Sequence, residues 1–153
     1  MKTTNRSGHY YTNSLWFSTA YLTLTLSSRN LLQILIAELK YKSVKSKDGA
    51  SKIWTNNGEV SCTEAEFKLW TGACSSTYLK SRNQLIKHGF IKQTHRGDRA
   101  KYEVLISANG ISKADERWRD YPKKDWEHDI PKAKKQLIGR ETQWKKGESG
   151  RKL

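Results

Sequence analysis

The hydrophobic pattern of this chain predicts one helix that is apolar around most of its circumference. Leucine and isoleucine occupy most positions of the stretch 31–39. A helix with apolar residues on nearly every side is normally buried among other elements. Ser27 or Ser28 offers an N-cap for it. We therefore expect a helix that continues to about Tyr41 and forms the centre of the core.

The preceding stretch, residues 9–26, is aromatic and has no single periodicity. Residues 23–26 alternate as a strand would, whereas residues 14–21 fit a helical turn, and both interpretations stay open. The aromatic side chains predict that this stretch packs onto the domain. An exposed arm that stacks on nucleic-acid bases is the alternative.

Residues 63–89 predict two short helices joined by a tight turn. Thr63 followed by Glu66 has the spacing of a capping box, which begins a helix. Gly72 ends that helix, because glycine accepts the left-handed backbone of a helix end. Residues 75–77, Ser-Ser-Thr, offer N-caps for a second helix, which extends to the glycine that closes the stretch.

Two alternating runs after this helix pair predict a β-hairpin. Residues 90–94 and 101–105 are strand candidates, and the basic turn 95–99 joins them. The short run 59–62 also alternates and supplies a third strand. Helix, turn, helix and basic hairpin together predict an α+β fold of the winged helix-turn-helix class, a three-helix core with a small antiparallel sheet.

The lysine-rich stretch 40–47 is followed by Asp48-Gly49, a turn signal. We expect a mobile surface loop here. Its lysines either touch phosphates or are only solvated, and the second is the default for a single loop.

The positive charge of the chain indicates its class of partner. Lys and Arg number 29 against 15 Asp and Glu, a formal net charge of +14. Such an excess usually means a polyanionic partner, most often nucleic acid. A well-solvated surface alone does not require one sign of charge to dominate. No apolar run approaches the roughly 20 residues that span a bilayer. A membrane surface is not expected as a partner either, because the cationic residues are spread along the chain and no long amphipathic basic helix stands out.

Sequence signatures of catalysis are missing from this chain. There is no phosphate-binding Gly-x-x-x-x-Gly-Lys loop, no His-Glu-x-x-His and no Gly-x-Ser-x-Gly elbow. A zinc site built from Cys62, Cys74, His88 and His95 would match no standard finger spacing. We therefore expect no enzyme activity, no catalytic residue, no cofactor and no metal ion.

A double-stranded DNA partner would be contacted by the second helix of the pair and by the basic hairpin. Polar and cationic residues of the helix are predicted to reach base edges and nearby phosphates: Ser75, Ser76, Thr77, Lys80, Asn83 and Lys87. Cationic residues of the hairpin are predicted to contact phosphates: Arg96, Arg99 and Lys101. The competing hypothesis is a protein-interaction module that binds a replication or transcription partner.

Composition divides the chain into three parts. Residues 1–8 are a polar lead without an apolar signal core, predicted to be disordered. Residues 9–106 form the DNA-binding domain. Residues 107–153 hold 13 Lys and Arg against 8 Asp and Glu and predict an extended, basic, tryptophan-containing tail. We expect a chain ending near Ser107 to fold, and whether the tail docks on the domain stays open.

Residues 14–105 resemble helix-turn-helix proteins of phages and bacterial mobile elements, some of which are replication initiators. The resemblance is carried by these motifs: Asn56-Asn57-Gly58-Glu59-Val60-Ser61, Ser75-Ser76-Thr77-Tyr78-Leu79-Lys80-Ser81-Arg82, Leu85-Ile86-Lys87-His88-Gly89-Phe90-Ile91, Arg96-Gly97-Asp98 and Lys101-Tyr102. The tail motif Glu116-Arg117-Trp118-Arg119 and Trp126 are similar to tails of such proteins. The run Trp144-Lys145-Lys146-Gly147-Glu148-Ser149-Gly150 is similar to a short basic motif in other phage-encoded DNA-binding proteins.

This resemblance implies that Ser75 to His88 is a recognition helix for duplex DNA. It implies a role in replication initiation or transcription regulation. The polar lead and the lack of a long apolar run predict a soluble protein of the cytoplasm, in the host cell if a phage encodes it. A homodimer and a replication or transcription protein partner stay open.

Overall fold

A computed structural model describes residues 11–97, 99–110 and 113–132 of the chain. Within these ranges there are five α-helices: α1 (Asn13–Trp16), α2 (Thr19–Leu22), α3 (Leu26–Glu38), α4 (Glu64–Thr71) and α5 (Ser75–Lys87). The same ranges hold four β-strands: β1 (Tyr41–Ser46), β2 (Gly49–Trp54), β3 (Ile91–His95) and β4 (Lys101–Val104). Two 3-10 helices follow at Arg117–Asp120 and Glu127–Asp129. The fold is mixed α+β, as the sequence predicts.

The predicted three-stranded sheet is present as a hairpin and one bridge. β3 pairs antiparallel with β4, and Val60 alone bridges to Tyr102. The bridge at Val60 does not extend toward residue 57, because the side chain of Asn57 takes the backbone groups of Val104 that a further strand residue would need. The amide of Asn57 accepts the N–H of Val104 at 2.7 Å and donates to the carbonyl oxygen of Val104 at 2.9 Å.

The predicted loop at residues 40–47 is wrong, because this stretch forms a second hairpin. β1 and β2 pair antiparallel from Tyr41 with Trp54 to Ser46 with Gly49. The two intervening residues make the turn, and Gly49 follows with φ +116, a backbone angle that favours glycine. Asp-Gly between two six-residue runs was the local signal for this hairpin.

The bounds of the first long helix differ from those predicted. α3 begins after Thr25, whose hydroxyl accepts the N–H of Ser28 at 3.2 Å, so neither Ser27 nor Ser28 is the N-cap. Ser28 is instead fully buried. α3 ends at Glu38, because the chain turns into β1. The aromatic stretch before it forms the short helices α1 and α2, not a strand.

The helix pair is confirmed in most details. Thr63 and Glu66 form the predicted capping box, and Gly72 ends α4 with φ +73. α5 ends at Lys87, and Gly89 follows with φ +86. The N-cap of α5 is Cys74, so the predicted caps at residues 75–77 lie in its first turn.

The core lies between α3, α5 and the β3–β4 hairpin. Its side chains are those of the following buried residues: Leu31, Leu32, Leu35, Phe67, Leu85, Ile86, Phe90, Ile91, Tyr102 and Val104. Gln84 ties α5 to the start of α3, because its carbonyl oxygen accepts the backbone N–H of Thr25 at 3.0 Å and the hydroxyl of Ser28. α5 is therefore fixed along its inner face.

The C-terminal segment, residues 113–132, packs against this core and is not an extended tail. Trp118 and Trp126 are 5% and 6% exposed, and Trp118 belongs to the same hydrophobic cluster as α3 and α5. The backbone N–H of Trp126 donates to the carbonyl oxygen of Lys87 at 3.1 Å. The predicted boundary at residue 106 thus divides residues that pack together.

Parts of the three-part division predicted for the chain fall outside the described residues. The predicted disordered lead and the end of the tail, residues 133–153, lie there. Among the helices that are described, none is long and apolar enough to cross a membrane.

Candidate nucleic-acid interface

One face of α5 is polar and turned away from the core. Ser76, Lys80, Asn83 and Lys87 follow one another at spacings of four, three and four residues, which places them on one helical face. Ser76 and Lys80 are exposed, whereas Asn83 and Lys87 are half-buried. The N-terminal half of this face is therefore the more accessible half.

The opposite face of α5 is held by buried contacts. Leu85 and Ile86 are fully buried. The hydroxyl of Tyr78 donates to the carbonyl oxygen of Cys62 and lies 3.5 Å from the hydroxyl of Tyr102. Burial is the main cause that raises the pKa of Tyr78 above its ordinary value, so this hydroxyl stays protonated. A rigid helix can present its outer face in one fixed orientation.

The N-cap position of α5 carries a thiol with a lowered pKa. Cys74 is exposed, and its sulfur lies 3.1 Å from the Ser76 hydroxyl and 3.4 Å from the Thr77 hydroxyl. Hydrogen bonds from Ser76 and then Thr77 lower the pKa of Cys74 to about 6. These two hydroxyls, predicted to contact DNA, are therefore engaged by the thiol, whereas Ser75 is exposed at the start of the helix.

The outer face continues into residues that already have partners. The guanidinium group of Arg82 donates to the side-chain oxygen of Asn83 at 3.2 Å and 3.0 Å. Lys87 lies at the end of α5 that the C-terminal segment covers, where Trp126 binds its carbonyl oxygen. Of the residues predicted on this face, Lys80 is the cation with the greatest exposure.

The loop between β3 and β4, here called the β3–β4 loop, carries the other predicted cations. Arg96 is exposed, and Lys101 is half-buried at the start of β4. Arg99 is tied back to the start of α4. Its guanidinium donates to the Glu66 carboxylate at 2.6 Å and to the Ser61 hydroxyl at 2.9 Å.

Glu66 therefore has two partners, the N-cap of α4 and Arg99. The pair of Arg99 and Glu66 is partly exposed, so its direct contribution to stability is small. Its effect is to fix where the β3–β4 loop lies relative to α4. Sequence reasoning missed this pair, because the two residues are 33 positions apart and no local pattern connects them.

A cleft of about 340 Å³ lies between α4, α5 and the β3–β4 loop. Arg82 and Leu79 of α5 line one side of it, and Gly97 and Ala100 of the loop line the other. Tyr78 of α5 and Tyr102 of β4 also line the cleft. The cleft separates the outer face of α5 from the basic hairpin.

Two large apolar side chains on α4 are exposed. Leu69 is 83% and Trp70 74% accessible, so neither supplies the buried side of α4. Phe67 alone fills that role within α4. Helical periodicity gives no signal for this, because an eight-residue helix has only about two turns.

Comparison with known protein families, curated proteins and solved structures finds no match to this chain. Within the described residues, no group of three or more His, Cys, Asp or Glu side chains is placed to hold a metal ion.

Proposed function

We propose that this protein is a non-enzymatic winged helix-turn-helix protein that binds duplex DNA. The observation that carries the proposal is the polar and cationic face of α5, whose N-terminal half is exposed and which is held on the core beside a basic hairpin. DNA-binding proteins of this class place the second helix of the pair in the major groove. α3, α4 and α5 correspond to the three-helix core, and β3 with β4 corresponds to the wing.

Within this proposal the nine predicted residues divide by accessibility. Ser75 and Lys80 are the strongest candidates for contact with base edges and nearby phosphates, and Ser76 is a weaker one, because its hydroxyl lies 3.1 Å from the Cys74 sulfur. Arg96 is the strongest candidate for a phosphate contact from the wing. Arg99 is a weaker candidate for a phosphate contact, because the Glu66 carboxylate already compensates its charge. Its role is to position the wing relative to α4. Thr77, Asn83, Lys87 and Lys101 play smaller roles.

The biological setting that fits such a domain is replication initiation or transcription regulation of a phage or mobile element. The resemblance of residues 56–61, 75–82 and 85–91 to proteins of that kind supports this setting. It implies action in the cytoplasm, where the DNA is found.

Substitution of Lys80 tests the proposal. A binding site selected from random DNA is compared with a scrambled duplex by fluorescence anisotropy. Lys80→Ala should cost about 1–3 kcal/mol on the selected site and less on the scrambled one, because base contacts discriminate among sequences. Arg96→Ala should weaken both equally and make the salt dependence shallower by about one.

Lys123→Ala is the matched control, because it removes one exposed positive charge from the C-terminal segment. If Lys80→Ala and Lys123→Ala have the same small effect, α5 does not contact DNA. If the unaltered protein binds neither duplex at low salt, the proposal fails as a whole.

The exposed Leu69 and Trp70 favour a second candidate function, a protein-interaction module. Large exposed apolar side chains on one short helix are typical of partner surfaces. The candidate predicts that the full chain captures a replication or transcription protein and no DNA. Leu69→Ser with Trp70→Ser should abolish that capture and leave the fold intact, because both side chains are exposed.

A further inference from the structure

The β1–β2 hairpin, residues 41–54, is a strongly charged element that the proposed function does not use. Residues 40–55 hold five lysines and one aspartate. Lys40, Lys42, Lys45 and Lys47 are all exposed. Five positive charges against one negative give this stretch a net charge of +4, which favours binding of an external anion.

The hairpin lysines differ from three arginines of the fold, whose charge is already compensated by carboxylates. Arg99 forms an ion pair with Glu66, and Arg119 forms one with Glu116. Arg117 forms ion pairs with both Asp115 and Asp129. Among the described residues, no ion pair involves Lys42, Lys45 or Lys47 of the hairpin, or Lys40 just before it. Their charge is therefore available to an external polyanion.

The base of the hairpin is fixed by hydrogen bonds. The backbone N–H of Lys40 donates to the Asn56 side-chain oxygen at 2.7 Å, and the Asn56 amide donates to the carbonyl oxygen of Glu38 at 2.8 Å. The backbone N–H of Thr55 donates to the carbonyl oxygen of Lys40 at 3.0 Å. The two strands thus leave the body at one defined place, beside the end of α3.

That place lies at the opposite end of β4 from the β3–β4 loop. From residue 57 to residue 61 the chain runs antiparallel along β4. Asn57 binds Val104 at the end of β4, and Ser61 binds Arg99 just before β4 begins. The base of the β1–β2 hairpin and the β3–β4 loop are therefore separated by the length of β4, about 10 Å for four residues.

We propose that the β1–β2 hairpin is a second phosphate-binding arm, which contacts the DNA backbone apart from the contacts of α5 and the β3–β4 loop. The inference rests on the proposed DNA binding and adds a second place of contact. Lysines suit this task, because a mobile ammonium group binds phosphates without selecting a base. Each strand of six residues spans about 20 Å, enough to follow several base pairs at 3.4 Å each.

The test replaces Lys42, Lys45 and Lys47 with Gln in the full chain. The control replaces Lys113, Lys123 and Lys132 with Gln. These three are also exposed, and their loss changes the net charge equally. Binding is measured by anisotropy as a function of salt, on duplexes of about 12 and about 24 base pairs, lengths near one and two helical turns.

We expect the hairpin variant to bind the longer duplex about 10-fold or more weakly at moderate salt, with a salt slope shallower by roughly two to three. Its ratio of affinities for selected and scrambled sites should not change. The control should lose much less affinity. The hairpin variant should also gain less affinity than the unaltered protein when the duplex is lengthened.

Equal losses for the two triple variants would overturn the inference and leave the proposed function standing. Unchanged DNA binding together with lost binding to vesicles of anionic lipid would also overturn it, in favour of a membrane surface. If the unaltered protein binds no duplex at any salt, the proposed function and this inference fail together. Circular dichroism verifies that each variant is folded.

Discussion

At the scale of single residues, the two cysteines show how position sets reactivity. Cys62 is buried beside Tyr78, and burial is the first cause that raises its pKa to about 11. Cys74 is exposed at the N-cap of α5, where the Ser76 and Thr77 hydroxyls lower its pKa to about 6. The thiolate is the reactive form of cysteine, so the two thiols differ at neutral pH.

We predict that iodoacetamide modifies Cys74 alone in the folded protein. The rate should rise with pH, reach its midpoint near pH 6 and then become constant, because the thiolate fraction follows the pKa. Mass spectrometry of the alkylated protein across pH measures this rate. Cys74→Ser should abolish the modification. A midpoint near the ordinary thiol pKa of about 8.5 would contradict the role of the two hydroxyls.

Residue-scale features could be predicted when their cause is local in sequence. The capping box of Thr63 and Glu66 and the left-handed Gly72 depend on neighbours within four positions, and both are confirmed. The contacts of Glu66 with Arg99 and of Gln84 with Thr25 could not be predicted, because they depend on how distant elements come together.

At the scale of elements, the end of α5 and the C-terminal segment depend on one glycine. Gly89 has φ +86, and a Cβ atom there would lie 2.7 Å from the Cβ of Arg117 and 2.9 Å from the backbone nitrogen of Trp118. The segment can approach α5 this closely only because residue 89 has no side chain. Next to it, the ring of Tyr121 stacks on buried His88 with 4.0 Å between ring centroids.

We predict that Gly89→Ala lowers the free energy of unfolding by about 2–3 kcal/mol, because it adds a backbone clash to left-handed strain. Gly72→Ala is the matched control. Its φ is +73, but no atom lies within 4 Å of the added Cβ, so strain alone should cost about 1 kcal/mol. Urea unfolding followed by tryptophan fluorescence measures both. Equal losses would mean that the close approach of Arg117 contributes nothing.

Elements were predictable where a periodic run was long or a turn signal was specific. α3, α5 and the β3–β4 hairpin have such signals, and the structure contains all three. α1 and α2 have four residues each, which is too short for helical periodicity to distinguish them from a strand. The lysine-rich stretch was predicted as a loop, because its charged composition is typical of loops. Its Asp-Gly turn is the signal that indicates the hairpin.

At the scale of the whole molecule, charge and packing divide the chain differently from composition. Residues 113–132 carry six Lys and Arg and six Asp and Glu, and they complete the core. Residues 133–153 carry seven Lys and Arg and two Asp and Glu, which gives that stretch a net charge of +5. The sequence suggested one tail, because a buried tryptophan among charged residues looks the same as an exposed one.

We predict that a chain ending at Ser107 is strongly destabilised, contrary to what composition suggests. Removing Trp118 and Trp126 uncovers apolar surface worth roughly 3–5 kcal/mol, a large part of the 5–15 kcal/mol that is typical of a domain. A chain ending at Lys132 keeps Trp118 and Trp126 and should bind DNA more weakly than the full chain, because it lacks the net charge of +5 beyond it.

Urea unfolding and a salt titration of DNA binding separate the two truncations. Unfolding of the Ser107 chain at the same urea concentration as the full chain would show that the C-terminal segment adds no stability.

The cover that residues 113–132 place over the end of α5 has a consequence for synthesis. A ribosome releases the chain from its N-terminus onward, so α5 and Phe90 emerge before Trp118 and Trp126. During that interval the nascent domain exposes the apolar surface that Trp118 later covers. The helix proposed to contact DNA therefore gains all of its packing contacts only after residue 126 has left the ribosome. Until then, the unfinished chain exposes apolar surface that chaperones can bind.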